Sequence, residues 1–111
     1  MADDEDLADR IRDQMANEPA LTEQRMFGGL AFLIGGKMAV AASGQGGILV
    51  RVDPAQWDEL LATTTATPME MRGRPMRGWL SVAADDARSP DELARWVARG
   101  TRYARSLSAK R

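Results

Sequence analysis

The chain of 111 residues contains no cysteine and no histidine. The missing cysteines exclude disulfides, thiolate nucleophiles and metals held by thiolates. The missing histidines remove the commonest general base and the commonest metal ligand, so Ser-His-Asp and Cys-His hydrolases and the usual zinc enzymes are also excluded. Carboxylate chemistry alone stays open, and we expect a protein that is not an enzyme and holds no cofactor or metal.

A basic leader and long apolar runs are missing as well. The first ten residues, MADDEDLADR, are acidic, whereas a secretory signal needs a basic start and an apolar core. No apolar run approaches the length of a membrane span. We therefore expect a cytoplasmic protein without membrane contact. Hydrophobic residues make up 44% of the chain and charged residues 28%, which predicts a single folded domain over residues 1–111.

The net charge of −1 is distributed unevenly along the chain. Residues 1–23 hold eight acidic and two basic side chains, whereas residues 95–111 hold six basic and no acidic ones. Opposite charges of this kind attract, either within one chain or between the two chains of a homodimer. The sequence does not choose between these two arrangements.

A helix and an antiparallel meander are predicted for the first half of the chain. Leu7, Ile11 and Met15 recur every four residues and predict a helix near the start. Alternating apolar residues then predict three strands joined by glycine turns, over residues 23–34, 37–42 and 48–52. The pair Gly28-Gly29 falls inside the first of these strands and is interpreted as a bulge or a close backbone approach.

A helix, a hairpin and a longer helix are predicted for the second half. Asp53 followed by proline opens the first of these helices. The stretch PMEMRGRPMRGWLSV, residues 68–82, predicts a hairpin, and Ser89 with Glu92 forms a capping box for the last helix. The predicted fold is α+β in two layers, an antiparallel sheet backed by helices, in the order α-β-β-β-α-β-β-α.

The glycine-rich stretches do not match nucleotide-binding motifs. A P-loop needs a glycine five places before its Gly-Lys pair and a serine or threonine after it, and Ala31 and Met38 occupy those positions. GQGGIL, residues 44–49, has Leu49 where a dinucleotide fingerprint needs its last glycine. Both stretches are interpreted as turns.

Two groups of arginines are the candidate binding residues for a partner or an anion. One group surrounds the predicted hairpin turn and the other follows the polar side of the last helix: Arg72, Arg74 and Arg77, and Arg95, Arg99 and Arg102. The last helix has an apolar side formed by Leu93, Trp96, Val97, Gly100, Ala104 and Leu107. The arginines are consistent with an unidentified protein partner, with nucleic acid, with a small anionic ligand clamped by the first group, or with a merely solvated helix face.

Four segments together resemble the TfoX/Sxy N-terminal domain family, which is named after a regulator of bacterial natural competence. The segments are RMFGGLAFLIGGKMAV, ILVRVD, GRPMRGWLSV and LARWVARG, and the likeness spans about residues 7–107. The family's motif positions fall on Met26, Phe27, Gly28, Gly29, Arg74, Pro75, Met76, Gly78 and Trp79. The resemblance implies a two-layer α/β domain without established catalytic residues, a regulatory or interaction module linked to transcriptional regulation through protein contacts. Full-length competence regulators of this kind carry a second, C-terminal helical domain beyond the matching part.

Overall fold

A computed structural model describes residues 2–26, 29–43 and 46–109. Within these residues the chain forms three α-helices and one antiparallel sheet of six strands. The helices are α1 (Ala2–Gln14), α2 (Pro54–Thr63) and α3 (Pro90–Ala109), and a short 3₁₀ helix, Ala84–Ala87, precedes α3. The strands are β1 (Leu21–Met26), β2 (Gly29–Ile34), β3 (Lys37–Ala42), β4 (Ile48–Arg51), β5 (Thr67–Met71) and β6 (Arg74–Val82). The predicted α+β class is confirmed.

The single strand predicted over residues 23–34 is wrong, because this segment is a hairpin of two strands. The register of β1 and β2 places Met26 opposite Gly29, so the chain reverses between them and the glycine pair is not a bulge inside one strand. Phe27 and Gly28 themselves lie outside the described residues. The residues of β1 from Thr22 to Arg25 are polar and exposed, so no apolar alternation marks β1 as a separate strand.

A bulge in β3 changes which side chains share a face of the sheet. Phe32 lies opposite Val40 while Leu33 lies opposite Met38, so Ala39 is an extra residue in β3. The regular alternation predicted over residues 37–42 would place Met38 on the same side as Val40, and the bulge shows that part of the prediction to be wrong. Val40 packs into the main core, whereas Met38 packs into a second cluster on the other face of the sheet.

The main core lies between the helices and one face of the sheet. The strands are ordered β1-β2-β3-β4-β6-β5, with α1 and α3 against the central strands and α2 against β6. Ile11, Phe32, Leu80 and Leu93 are among the fully buried side chains, and each such burial contributes about 1.5–3 kcal/mol. The two-layer arrangement is thus built by apolar residues that come from all parts of the chain.

The other face of the sheet carries a smaller apolar cluster made by strand residues only. Its buried members are Ala31, Leu33, Met38, Ala41, Leu49 and Met69, and Trp79 packs against them half-buried. On β2, β3 and β4 these residues lie next to members of the main core, which point to the opposite face. The residues of β2 from Ala31 to Ile34 are therefore buried on both faces of the sheet.

Two-residue turns join the strands where the sequence predicts hairpins. Gly35 and Gly36 connect β2 to β3 with φ of 58° and 83°, which is the backbone conformation that a tight hairpin with right-handed strand twist requires. Arg72 and Gly73 connect β5 to β6 in the same way, with φ of 55° and 78°. Arg72 is the one described residue other than glycine that has a positive φ.

Candidate functional site

The last helix, α3, begins as the sequence predicts. The backbone N–H of Glu92 donates to the Oγ of Ser89 over 3.1 Å, and the Ser89 hydroxyl lies 3.2 Å from the Glu92 carboxylate. Pro90 occupies the first helical position, where its missing N–H costs no hydrogen bond. These contacts determine where α3 starts.

The apolar side of α3 packs very closely on the sheet. Leu93, Trp96, Val97 and Ala104 are buried in the main core, as predicted. A Cβ placed on Gly100 would lie 2.2 Å from the backbone oxygen of Ala39, the bulged residue of β3. Only glycine fits this contact, and it holds the polar side of α3 away from the sheet and towards solvent.

Three of the candidate arginines form one stripe on this polar side. Arg95, Arg99 and Arg102 follow the i, i+4, i+7 spacing of one helix face, so the stripe is about 10 Å long at 1.5 Å per residue. Arg95 and Arg102 are exposed, and Arg99 is half-buried with its guanidinium carbon 4.6 Å from the centre of the Trp96 ring. Within the described part of the chain, none of the three makes an ion pair. We call these residues the α3 stripe.

A groove between α2 and α3 runs beside the α3 stripe. It consists of two hollows, of about 240 Å³ and about 230 Å³, and Arg99 lines both. The first lies at the C-terminal end of α2 and is lined by Thr63, Thr64, Thr65, Asp86, Glu92, Arg95, Trp96 and Arg99. The second lies at the N-terminal end of α2 and is lined by Asp53, Gln56, Arg99, Arg102, Tyr103 and Ser106. We call the two hollows together the α2–α3 groove.

Stacked side chains position the second hollow. The guanidinium carbon of Arg51 on β4 lies 5.1 Å from the Trp79 ring centre and 5.7 Å from that of Tyr103. The indole Nε1 of Trp57 donates to the Trp79 carbonyl oxygen over 3.0 Å. Through these contacts, α2, β4, β6 and α3 hold one another at the end of the groove.

The second group of candidate arginines lies apart from the α3 stripe. Arg77 pairs with Asp58 of α2 over 3.2 Å and lies 5.4 Å over the Trp57 ring. Arg72 and Arg74 are exposed at the β5–β6 turn. Arg72 lines an open cleft of about 690 Å³ whose apolar wall contains Leu49 and Met69 from the second cluster. This cleft is on the sheet face opposite α3, so the structure does not bring Arg72 into the α2–α3 groove.

The family motif positions that the structure describes lie in strands of the sheet, in β1, β2 and β6. Gly29 begins β2 opposite Met26, and Pro75 and Met76 belong to β6. The Gly78 carbonyl oxygen accepts a hydrogen bond from the N–H of Val52 over 2.8 Å. The β6 residues thus connect the second hairpin to β4 and α2. The α3 stripe lies on a different element from these motif positions.

Some of the opposite charges of the chain ends pair within one chain. The guanidinium of Arg105 on α3 donates through Nε to Glu18 over 3.0 Å and through Nη2 to the other carboxylate oxygen. This hydrogen bonding raises the pKa of Arg105. Within the acidic N-terminal segment itself, Arg12 donates to both carboxylate oxygens of Glu23, which lowers the pKa of Glu23. These pairs leave the α3 stripe without an acidic partner among the described residues.

The fold and the groove together define a small α+β module with a groove that arginines line in part. In the described residues no set of three acidic side chains converges on a point that would hold a metal ion. None of the described helices is long and apolar enough to cross a membrane.

The chain belongs to the TfoX N-terminal domain family, whose model matches residues 13–104. This finding confirms the resemblance noted on the sequence segments. A search of curated proteins finds no match to the chain.

The sequence identified the arginines of the groove but not its other wall. Gln56 and Thr63 of α2 line the hollows, together with Thr64 and Thr65, which follow the end of α2. Nothing in the order of residues signals this role, because α2 and α3 are separated by the whole β5–β6 hairpin. Tyr103 lies within the basic segment of the sequence, residues 95–111. Its contact with Arg51, however, depends on how β4 packs against α3.

Proposed function

We propose that this chain is a regulatory module without catalytic activity that binds an acidic segment of another protein in the α2–α3 groove. Membership of the TfoX N-terminal domain family supports a regulatory role. The α3 stripe supports the binding surface, because three arginines that form no ion pair with the described residues lie in one row beside a groove. This row is the observation on which the proposal depends.

The spacing of the α3 stripe fits an acidic helix or strand. Charges at i, i+4 and i+7 are about 5 Å apart along the helix axis, and carboxylates on a facing helix repeat at the same distance. Arginine favours such contacts because its planar guanidinium can hold a carboxylate through two parallel hydrogen bonds. Trp96 and Tyr103 add partly apolar surface to the same groove.

The balance of charge on the whole chain favours a protein partner over nucleic acid. The net charge is −1, which gives no overall attraction for a polyanion. Acidic side chains also line the groove, with Asp86 and Glu92 in one hollow and Asp53 in the other. A partner with few, well-placed carboxylates suits this mixed lining better than a continuous phosphate backbone.

Two triple variants test the proposal. Arg95→Ala/Arg99→Ala/Arg102→Ala removes the α3 stripe, and Arg72→Ala/Arg74→Ala/Arg77→Ala removes the same charge from the second hairpin. Affinity capture from native cell extract at low salt is expected to lose its specific partner with the first variant only. Far-UV circular dichroism and thermal melts check that both variants fold. Equal capture by the wild type and the first variant would contradict the proposal.

The position of the partner is tested by crosslinking. A photoreactive side chain replacing Gln56, in the groove wall, is expected to crosslink the captured protein, whereas one replacing Thr22 on β1 is not. Fluorescence anisotropy with duplex DNA over a range of salt concentrations tests the alternative, in which the α3 stripe binds nucleic acid. Binding to DNA that weakens with salt and is lost in the Arg95/Arg99/Arg102 variant would make the stripe a phosphate-contacting surface instead.

A further inference from the structure

The edge strand β1 presents an unpaired side to solvent. It is the first strand in the order of the sheet and pairs with β2 alone. Its residues Thr22, Glu23, Gln24 and Arg25 are all exposed. An exposed edge offers a row of backbone N–H and C=O groups to another strand.

The hydrogen-bonding pattern shows which residues offer these groups. The N–H of Gly35 donates to the carbonyl oxygen of Ala20 over 3.1 Å, and the β1–β2 register places these two residues opposite each other. Hydrogen-bonded and non-hydrogen-bonded pairs alternate along an antiparallel ladder. The backbone groups of Leu21, Glu23 and Arg25 therefore point away from β2 and towards the free edge.

The charges on this edge are complementary to those of a second copy. If two β1 strands pair antiparallel with a two-fold axis at Gln24, Glu23 of each copy lies opposite Arg25 of the other. An axis at Glu23 or at Arg25 would instead place like charges opposite each other, which destabilises the pairing. The axis at Gln24 also pairs the outward backbone groups of residues 23 and 25 with each other in both copies.

The charged groups of Glu23 and Arg25 are available for this pairing in the described structure. Arg25 makes no ion pair with any other described side chain. Glu23 binds Arg12 through both carboxylate oxygens, and a carboxylate offers about four acceptor positions, so a second guanidinium can share it. The opposite edge strand, β5, is less suited, because it contains Pro68, which has no N–H to donate.

We propose that the chain forms a two-fold homodimer by pairing of its β1 edges, with Glu23 of each copy bound to Arg25 of the other. The dimer joins two six-stranded sheets into one continuous sheet. This interface does not use the α2–α3 groove, so it is independent of the proposed partner binding.

Reversing the charge at residue 23 or residue 25 tests this dimer. Analytical ultracentrifugation over about 10 µM to 1 mM, a range that covers weak interfaces, is expected to show wild-type dimer increasing with concentration. Arg25→Glu and Glu23→Arg are each expected to lower the dimer fraction at a given concentration, because each sets like charges opposite one another. An equimolar mixture of the two variants is expected to restore it, since every cross-strand pair then joins opposite charges. A wild type that stays monomeric, or variants that dimerise as it does, would overturn the proposal.

Hydrogen exchange locates the interface without any substitution. The amides of Glu23 and Arg25 are expected to become protected as the concentration rises, whereas those of Thr22 and Gln24 are already protected by β2 and should not change. A dimer in which the amides of Glu23 and Arg25 stay unprotected has its interface elsewhere and refutes the β1 pairing. This measurement still decides if Glu23→Arg fails to fold after Arg12 loses its partner.

Discussion

Replacement of Gly100 by alanine is expected to destabilise the protein even though alanine is the better helix former. The new Cβ would lie 2.2 Å from the Ala39 oxygen and 2.9 Å from the Ala39 carbonyl carbon. Nonbonded atoms prefer separations of about 3.5 Å, so α3 or β3 must move by about 1 Å. The atoms met are backbone atoms of a bulged strand, and no side-chain rotation relieves the contact.

The expected loss follows from two opposing terms. Overpacking of a tight contact costs typically about 1–3 kcal/mol and occasionally more, while alanine in place of glycine gains about 1 kcal/mol of helix propensity. Because a backbone contact cannot adapt, we expect an overpacking cost of about 3 kcal/mol. After the gain in helix propensity, the free energy of unfolding is expected to fall by about 2 kcal/mol. For a domain of this size, that lowers the melting temperature by roughly 10 °C.

Thermal unfolding followed by circular dichroism measures this loss. Ala98→Gly, at an exposed position of α3, is the matched control, because it changes helix propensity without touching the sheet. If propensity alone governed these positions, Gly100→Ala would stabilise the protein by about as much as Ala98→Gly destabilises it. An unchanged or higher melting temperature for Gly100→Ala would refute the close packing of α3 on Ala39.

Three further predictions concern stability. Thr101→Val is expected to stabilise the protein by about 1 kcal/mol, because the buried Thr101 Oγ1 finds no hydrogen-bond partner among the described residues; a lower urea midpoint would contradict this. Arg72→Asn is expected to stabilise the protein by about 0.5 kcal/mol, and so to raise the melting temperature slightly, because asparagine adopts a φ of 55° with less strain than arginine; Arg74→Asn, the control in β6, should bring no gain. Glu23→Gln is expected to cost about 0.5 kcal/mol at pH 7. The folded protein lowers the pKa of Glu23 below its ordinary value of 4.5, so this carboxylate stabilises the fold at higher pH. The difference between wild type and variant should shrink once the pH falls below 4.5 and disappear below the lowered pKa of the folded protein. A difference in urea midpoint that does not shrink between pH 7 and pH 3 would show that the Arg12 pair is not its cause.

The helix starts and most strands followed from local patterns. Asp53 accepts a hydrogen bond from the Ala55 N–H over 2.9 Å, as its place before proline predicts. The apolar residues of α3 from Leu93 to Ala104 are buried as their helical spacing predicts. Local chemistry is enough at these places, because caps and periodicity act over a few neighbouring residues.

The strand count did not follow from local patterns. β1 is a polar edge strand that is recognised by its pairing with β2, and a pairing partner is not visible in a single segment. The bulge at Ala39 is a second case, since one extra residue in β3 sends Met38 to the opposite face of the sheet. Both differences arise from register between strands, which depends on two segments at once.

By itself the sequence determined the α+β class, the family likeness, the exclusion of cysteine and histidine chemistry and the row of arginines on the last helix. These depend on composition and on spacing along one segment. The tertiary structure alone decided that Arg105 binds Glu18 while Arg95, Arg99 and Arg102 make no ion pair with any residue that the structure describes. It also decided that α2 forms the other wall of their groove. The physical reason is that charge pairing and grooves depend on distances between residues far apart in the chain, and the packing of α3 through Gly100 sets those distances.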